Sequence, residues 1–206
     1  MKYENTVYNF LKKSSETYAR RIQKEFCSKK PIYNDILEHS EFVCDLALKI
    51  GEKLNADLEI LKVSALLHDV GITMEDSPIH AVVSAKIAEE VLENTDFPEE
   101  KRGGVLYAIS VHSDLSSAPI ETLEAKILWD ADKIAHLGAV VFVRFLMRMP
   151  LRGGNTKKAL EFFKKNLKTA EVLKENMKTE LGKEIAAKRY EFAKIFVEEL
   201  EEEMGG

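Results

Sequence analysis

The stretch Ser64–Ile72, SALLHDVGI, is the centre from which the chain can be interpreted, because it predicts a buried helix that ends beside two side chains of the kinds that can bind metal ions. Gly71 follows two residues after Asp69, and glycine readily takes the left-handed conformation that ends many helices. His68 and Asp69 are therefore expected at a helix end, where an imidazole and a carboxylate can bracket one ion. Apolar residues at helical spacing predict that one face of this helix is turned toward the core: Leu61, Ala65, Leu66 and Val70.

Two ligands hold a metal ion weakly, so the others must come from elsewhere in the chain. His39 lies on an earlier helix with apolar neighbours, and Asp130 and Asp132 interrupt an otherwise apolar helix. A buried carboxylate costs several kcal/mol unless a cation or donor compensates it. Imidazole with carboxylate suits Mn, Fe, Co, Ni or Zn, and Mg less well, since Mg prefers oxygen ligands. The predicted metal ligands are His39, His68, Asp69 and Asp132.

The composition is that of a globular protein without a dominant surface charge. With 206 residues the chain can form one or two domains, and we expect a single domain over residues 1–206. Lys and Arg number 30 against 35 Asp and Glu, so a net charge of −5 predicts neither nucleic acid nor membrane as partner. Cys27 and Cys44 form no disulfide framework, and no signal peptide or span of about 18 apolar residues occurs. We therefore expect a cytoplasmic protein.

The pattern along the chain predicts an all-α fold. Prolines and glycines fall mostly between periodic segments, and no stretch alternates between apolar and polar residues as a strand would. The last two helices are expected to form a C-terminal hairpin that packs on the rest of the chain. The predicted helices cover residues 3–27, Pro31 to about Asn55, Asp57 to the His68 and Asp69 pair, Pro78 to about Asn94, Pro98 to about His112, Glu121 to about Arg148 with a break near Gly138, Thr156–Met177 and Thr179–Glu202.

The order of the predicted ligands resembles that of the HD-domain superfamily of metal-dependent phosphohydrolases. His39, then His68 with Asp69, then Asp132 follow the H…HD…D pattern, and the segments ALLHDVG and WDADKIAHLGAVVFVR are similar to the two most recognisable segments of that superfamily. The resemblance is greatest to small single-domain HD hydrolases. It implies an HD-like helical bundle over about residues 32–148, with helices over about 156–204 added.

The resemblance also implies a reaction, in which a water activated by one or two divalent ions hydrolyses a nucleotide or another small phosphate ester. Asp69 would bind the ion and orient the water. His80 and His112 fall where several HD subgroups place histidines that contact phosphate or a second metal, so we expect both to be catalytic and substrate-binding. Lys133 is expected to act in the same two ways, and Arg144 to bind phosphate through its planar fork.

The resemblance indicates which aspartate of the DADK segment binds the metal, but it does not identify the substrate. The acid before the basic residue of DADK is the usual ligand, which favours Asp132 over Asp130. After the HD pair the chain reads HDVGITMED, which lacks the lysine of the subgroup that hydrolyses cyclic dinucleotides. Two alternatives stay open: a di-iron oxygenase, if His80 and His112 complete a second metal position, and a non-catalytic module that binds a nucleotide. Whether the chain forms a homodimer also stays open, and His136 is expected to be structural or to support a ligand.

Overall fold

The computed structural model describes residues 2–29, 33–74, 79–113, 119–149 and 154–205. Within those ranges the chain forms nine α-helices, one 3-10 turn and no strand, which confirms the all-α prediction. Among the described helices, none combines the length and the apolar surface that a membrane span requires. The helices are α1 (Lys2–Glu25), α2 (Asp35–Leu54), α3 (Leu58–Leu67), α4 (His80–Glu93), α5 (Glu99–Val111), α6 (Leu123–Ala135), α7 (Ala139–Arg148), α8 (Thr156–Glu175) and α9 (Glu180–Glu203), and the 3-10 turn is Val70–Thr73.

The chain forms two compact units, and the first comprises Met1–Ala131. At its centre α3 packs against α2, α5 and α1, while α4 packs against α5 and the 3-10 turn. The apolar side chains that predicted the buried face of α3 and its continuation are at most 6% exposed. The stretch quoted at the outset therefore lies in the core of this unit.

Local capping explains where several helices begin and end. Asp57, where the third helix was predicted to begin, is the N-cap of α3, and its carboxylate accepts two backbone N–H groups of the first turn. Asn55 ends α2 in the left-handed conformation, with φ of 56°. Asn34 caps the start of α2, and its side chain accepts one backbone N–H group. Pro31 and Pro78, which were predicted to open helices, lie outside the described residues.

The expected left-handed conformation of Gly71 is wrong. After α3 the chain continues through His68 in right-handed helical conformation into the 3-10 turn, and the backbone φ of Gly71 is not positive. A Cβ atom at Gly71 would lie 2.5 Å from the carbonyl oxygen of His80 and 2.9 Å from the backbone nitrogen of Ser84. Glycine is therefore required here by close packing against α4 and not by backbone conformation.

The long apolar segment predicted from Glu121 to Arg148 divides into two helices near the expected position. Gly138, with φ of 79°, separates α6 from α7. Asp130 and Asp132 of α6 are both buried, at 0% and 4% exposure. The two carboxylates thus interrupt a buried segment, as the sequence indicated.

The second unit comprises Asp132–Gly206 and contains α7, α8 and α9. Its core joins these three helices, and the rings of Phe142 and Phe163 lie 4.2 Å apart between centroids. Helices α8 and α9 pack against each other as the predicted hairpin. That this hairpin packs on the remaining chain, and that residues 1–206 are a single domain, stay predictions.

An ion-pair network ties α1, α3 and α5 together in the first unit. The Nζ atom of Lys101 lies 2.7 Å from Asp57 Oδ2 and 2.7 Å from Glu59 Oε2, and the Tyr3 hydroxyl donates to Glu59 Oε1 at 2.7 Å. Burial opposes ionisation of Asp57, but the hydrogen bonds from Lys101 and from the backbone N–H groups of Ile60 and Glu59, with the charge of Lys101, together outweigh it and lower the pKa of that carboxyl. The same lysine also lowers the pKa of Glu59.

We expect Lys101→Met to lower the free energy of unfolding at pH 7, because it removes the two ion pairs of Lys101. The loss should be only about 1 kcal/mol, because the partners are partly exposed and screened by solvent. Both carboxyls have a lower pKa in the folded state, so the stabilisation is present above their unfolded pKa values of about 4 and is lost as the pH falls below them. Urea denaturation at pH 7 and at lower pH measures this. The exposed Lys86→Met serves as the control, and a difference that does not shrink with acid would contradict the prediction.

Candidate metal centre

Five predicted site residues of the first unit lie at or near helix ends. His39 stands in the second turn of α2, His68 caps the C-terminus of α3, and Asp69 follows it. His80 begins α4, and His112 caps the C-terminus of α5. Because the C-terminus of a helix carries partial negative charge, two helix dipoles add to the attraction for a cation at this place.

Asp69 lies between two pairs of imidazoles. Its Oδ2 atom is 3.6 Å from His39 Nε2 and 3.5 Å from His68 Nε2, while Oδ1 is 3.5 Å from His80 Nε2 and 3.3 Å from His112 Nε2. The result is two three-residue groups that share one carboxylate. Ligands about 2.1 Å from one ion lie roughly 3.0 to 3.4 Å from each other, so each group has nearly the spacing that a bound cation requires.

Backbone contacts fix which nitrogen of two imidazoles faces the carboxylate. His68 Nδ1 lies 2.7 Å from the carbonyl oxygen of Ala65, and His112 Nδ1 lies 2.6 Å from that of Ile109. A carbonyl only accepts, so Nδ1 carries the proton and Nε2 of the neutral ring keeps its lone pair. His68 Nε2 is also 3.3 Å from His39 Nε2. Several acceptor atoms therefore converge on one small volume, an arrangement that a cation stabilises.

The charge of Asp69 is set by its surroundings. Its side chain is only 15% exposed. Burial opposes its ionisation, but in the protein without metal the protonated rings of His68, His112, which then also donates a hydrogen bond from Nε2, and His39 hold the pKa of the carboxyl well below its usual range. Asp69 is therefore a carboxylate at neutral pH and can bind a metal ion without first losing a proton.

The remaining predicted residues belong to the second unit. Asp132 Oδ2 accepts a hydrogen bond from Lys133 Nζ at 2.7 Å, and Asp132 Oδ1 lies 3.4 Å from His136 Nε2. His136, expected to be structural or to support a ligand, thus faces Asp132 from the turn that directly follows α6. Arg144 is buried on α7. That Asp132 binds the metal, and that Lys133 and Arg144 bind phosphate, stay predictions.

Sequence analysis did not identify the residue that joins the turn after Asp69 to α4. The Ser84 hydroxyl accepts the backbone N–H of Gly71 at 2.9 Å, one turn into the helix that His80 begins. This bond and the close approach at Gly71 fix His80 relative to Asp69. A small residue four positions after His80 was the only sequence signal, and it is a weak one.

A helical bundle in which an adjacent His and Asp meet further histidines has the residues of a metal-binding protein, and similarity to known proteins identifies its family. Residues 36–137 match the family model of the HD domain. The chain is also 32% identical over 179 residues to the protein YpgQ of Bacillus subtilis (strain 168), and this match covers 82% of this chain and 83% of YpgQ. The chain belongs to the HD-domain superfamily.

Solved structures share this fold. The crystal structure of Bacillus subtilis YpgQ in complex with ADP is similar with a TM-score of 0.62 and 28% identity, over 82% of this chain and 88% of that chain. An HD-superfamily hydrolase from Bacillus thuringiensis is similar with a TM-score of 0.64 and 24% identity, over 96% of this chain and 99% of that chain. A predicted HD superfamily hydrolase from an uncultured Thermotogales bacterium gives a TM-score of 0.67 at 23% identity, over 96% and 91%.

Proposed function

We propose that the protein is a metal-dependent phosphohydrolase that acts on a nucleotide or another small phosphate ester. The observation that carries the proposal is the position of Asp69, with one oxygen toward His39 and His68 and the other toward His80 and His112. A divalent ion bound here would lower the pKa of a water from 15.7 toward about 7 and would screen phosphate oxygens.

The donor set determines which ions fit. His39, His68 and Asp69 would hold one ion, with Asp132 as the proposed further ligand. Imidazole-rich ligation favours Mn, Fe, Co, Ni or Zn over Mg. The second group, in which His80 and His112 share Asp69, would hold a second ion. Two carboxylates against two divalent ions leave the site positive, which favours an anionic substrate such as a phosphate ester.

The exposed fractions of the four histidine side chains support two different roles for them. The side chains of His39, His68 and His112 are 3%, 0% and 1% exposed, whereas that of His80 is 22% exposed. The three buried rings are suited to hold an ion. Where only the first ion is bound, the ring of His80 is accessible to a bound molecule and can donate a hydrogen bond to phosphate. Lys133 and Arg144 are proposed to neutralise further phosphate charge.

The relative with ADP guides the choice of substrate. The crystal structure of Bacillus subtilis YpgQ contains ADP, which supports a nucleotide for this chain as well. Since ADP carries a base, a ribose and two phosphates, nucleoside mono-, di- and triphosphates are the first compounds to test, ahead of simple phosphate esters.

The test is hydrolysis of a nucleotide panel by protein freed of metal with a chelator and then supplied with Mn, Co, Ni or Mg. We expect release of phosphate or pyrophosphate that requires the added ion, and a loss of at least about a hundredfold in His68→Ala. His136→Ala removes an exposed histidine that contacts only the proposed ligand Asp132, so its effect should be smaller than that of His68→Ala. Inactivity across the panel with every ion would contradict the proposal, and tight nucleotide binding without turnover would support a binding module.

The shared carboxylate also favours a second candidate, a di-iron oxygenase. The group of Asp69, His80 and His112 supplies the second metal position that such chemistry needs. Two iron ions per chain, with an absorption band that changes when oxygen is admitted, would support this candidate. Hydrolysis with a metal ion that does not change oxidation state, such as Mg or Zn, would decide for the phosphohydrolase.

A further inference from the structure

The second unit exposes an apolar face on two neighbouring helices. We call it the α7–α9 face. Two aromatic rings connect its two helices, since Phe142 of α7 contacts Phe196 of α9 with 5.2 Å between ring centroids. Its six side chains are between 37% and 58% exposed: Val143, Leu146, Met147, Phe192, Ile195 and Phe196.

The helical positions make this face continuous. On α7, Phe145 stacks on Phe162 of α8, so the side of α7 toward α9 begins at Phe142. Val143 and Leu146 follow Phe142 around the helix on that side. The aliphatic stripe of α7 therefore adjoins the aromatic stripe of α9. Six such side chains leave roughly 500 Å² uncovered, about as much as the largest apolar patch of a typical monomer, and such patches are often functional.

Charges beside the apolar stripe of α9 show which partner fits. Lys188 lies four residues before Phe192, and Glu199 lies four residues after Ile195, so all four belong to one stripe. One antiparallel register of the stripe against a copy of itself sets Phe192 opposite Ile195 of the second copy. In the same register Lys188 faces Glu199 of the second copy, and twofold symmetry repeats both contacts.

We propose that the α7–α9 face is the interface of a homodimer with twofold symmetry. Two copies of the face would bury roughly 1,000 Å² of apolar surface, and the polar rim adds to it, which reaches the lower range of specific interfaces. Farther out the stripe is acidic at both ends, with Glu184 and Glu202, so we expect α9 to cross its copy at an angle that separates these carboxylates. This inference is independent of the metal site.

The test uses the full chain and begins with its mass in solution. Size-exclusion chromatography with light scattering at micromolar concentration should give twice the chain mass of 23.4 kDa. Ile195→Asp should weaken dimerisation at least about a hundredfold, because each of the two copies places a carboxylate at the apolar centre of the interface. Val172→Asp is the matched control, since Val172 is 62% exposed on the side of α8 opposite its buried residues and should leave the dimer unchanged.

Charge reversal tests the register itself. Lys188→Glu alone and Glu199→Lys alone should each weaken the dimer about tenfold, and the double variant should restore it. Eleven residues separate the two positions by about 16 Å along one helix, so restoration requires pairing between copies. A monomeric wild-type chain at about 100 μM would overturn the proposal. So would a dimer that Ile195→Asp leaves intact, or one that Val172→Asp disrupts equally, with circular dichroism showing that the variants are folded.

Discussion

Asp69→Asn should abolish metal binding in both three-residue groups and lower the rate of hydrolysis by more than about a hundredfold. Asparagine keeps the size of the side chain but removes the one charge that His39, His68, His80 and His112 share. The group of His80 and His112 would keep only neutral imidazoles, and the group of His39 and His68 would keep only the proposed ligand Asp132 to offset the charge of an ion. Elemental analysis and calorimetric titration with Mn measure the binding, and phosphate release measures the rate.

Two variants distinguish the shared role of Asp69 from a general loss of acidity. Asp45→Asn removes an exposed carboxylate of α2 and should change neither metal content nor rate. His112→Ala removes a residue of only one group, so metal content should fall from two ions to one per chain while the group with His39 and His68 keeps its ion. Wild-type metal content in Asp69→Asn would show that the carboxylate is not the shared ligand.

Local patterns in the sequence were sufficient to predict the part of the fold that carries the HD pair. The spacing of Leu61, Ala65 and Leu66 predicted the buried face of α3. The capping residue Asp57 indicated where that helix begins. Both signals act over one or two helical turns, so they can be evaluated without knowledge of the rest of the chain. The break at Gly138 was predictable for the same reason.

The shared position of Asp69 was beyond what the sequence could show. From the sequence, His39, His68, Asp69 and Asp132 were predicted as ligands, and His80 and His112 as catalytic and substrate-binding residues. Whether one carboxylate reaches both pairs depends on how α4 and α5 pack beside α3, which is a matter of tertiary contacts between residues far apart in the chain. The hydrogen bonds that orient His68 and His112 involve backbone carbonyls, which leave no signal in side-chain identity.

Gly71 shows how the same residue type is explained by two different physical causes. From sequence, a glycine near a helix end indicates left-handed backbone conformation, because that is its most frequent role there. The structure instead has a tight contact, in which the Gly71 N–H donates to the Ser84 hydroxyl and α4 leaves no space for a side chain. Only the position of α4 distinguishes these causes, and the difference changes what a substitution does.

Gly71→Ala should therefore destabilise the fold by about 2 to 3 kcal/mol, because the new Cβ would lie 2.5 Å from the carbonyl oxygen of His80 and 2.9 Å from the backbone nitrogen of Ser84. Both neighbours are backbone atoms, so only a movement of α4 can relieve the steric clash. Since His80 begins α4, that movement would separate it from Asp69 and weaken metal binding in the group of Asp69, His80 and His112 more than in the other group. Urea denaturation and metal titration measure the two effects.

Gly103→Ala provides the matched control on an exposed turn of α5. A Cβ atom there would meet nothing within 4 Å, and helix propensity favours alanine over glycine by about 1 kcal/mol, so the substitution should be neutral or stabilising. The two glycine-to-alanine substitutions should change the free energy of unfolding in opposite directions only if packing against α4 is the reason for glycine at position 71. Equal effects of the two substitutions, or unchanged binding at the His80 group in Gly71→Ala, would show that α4 does not hold His80 in place.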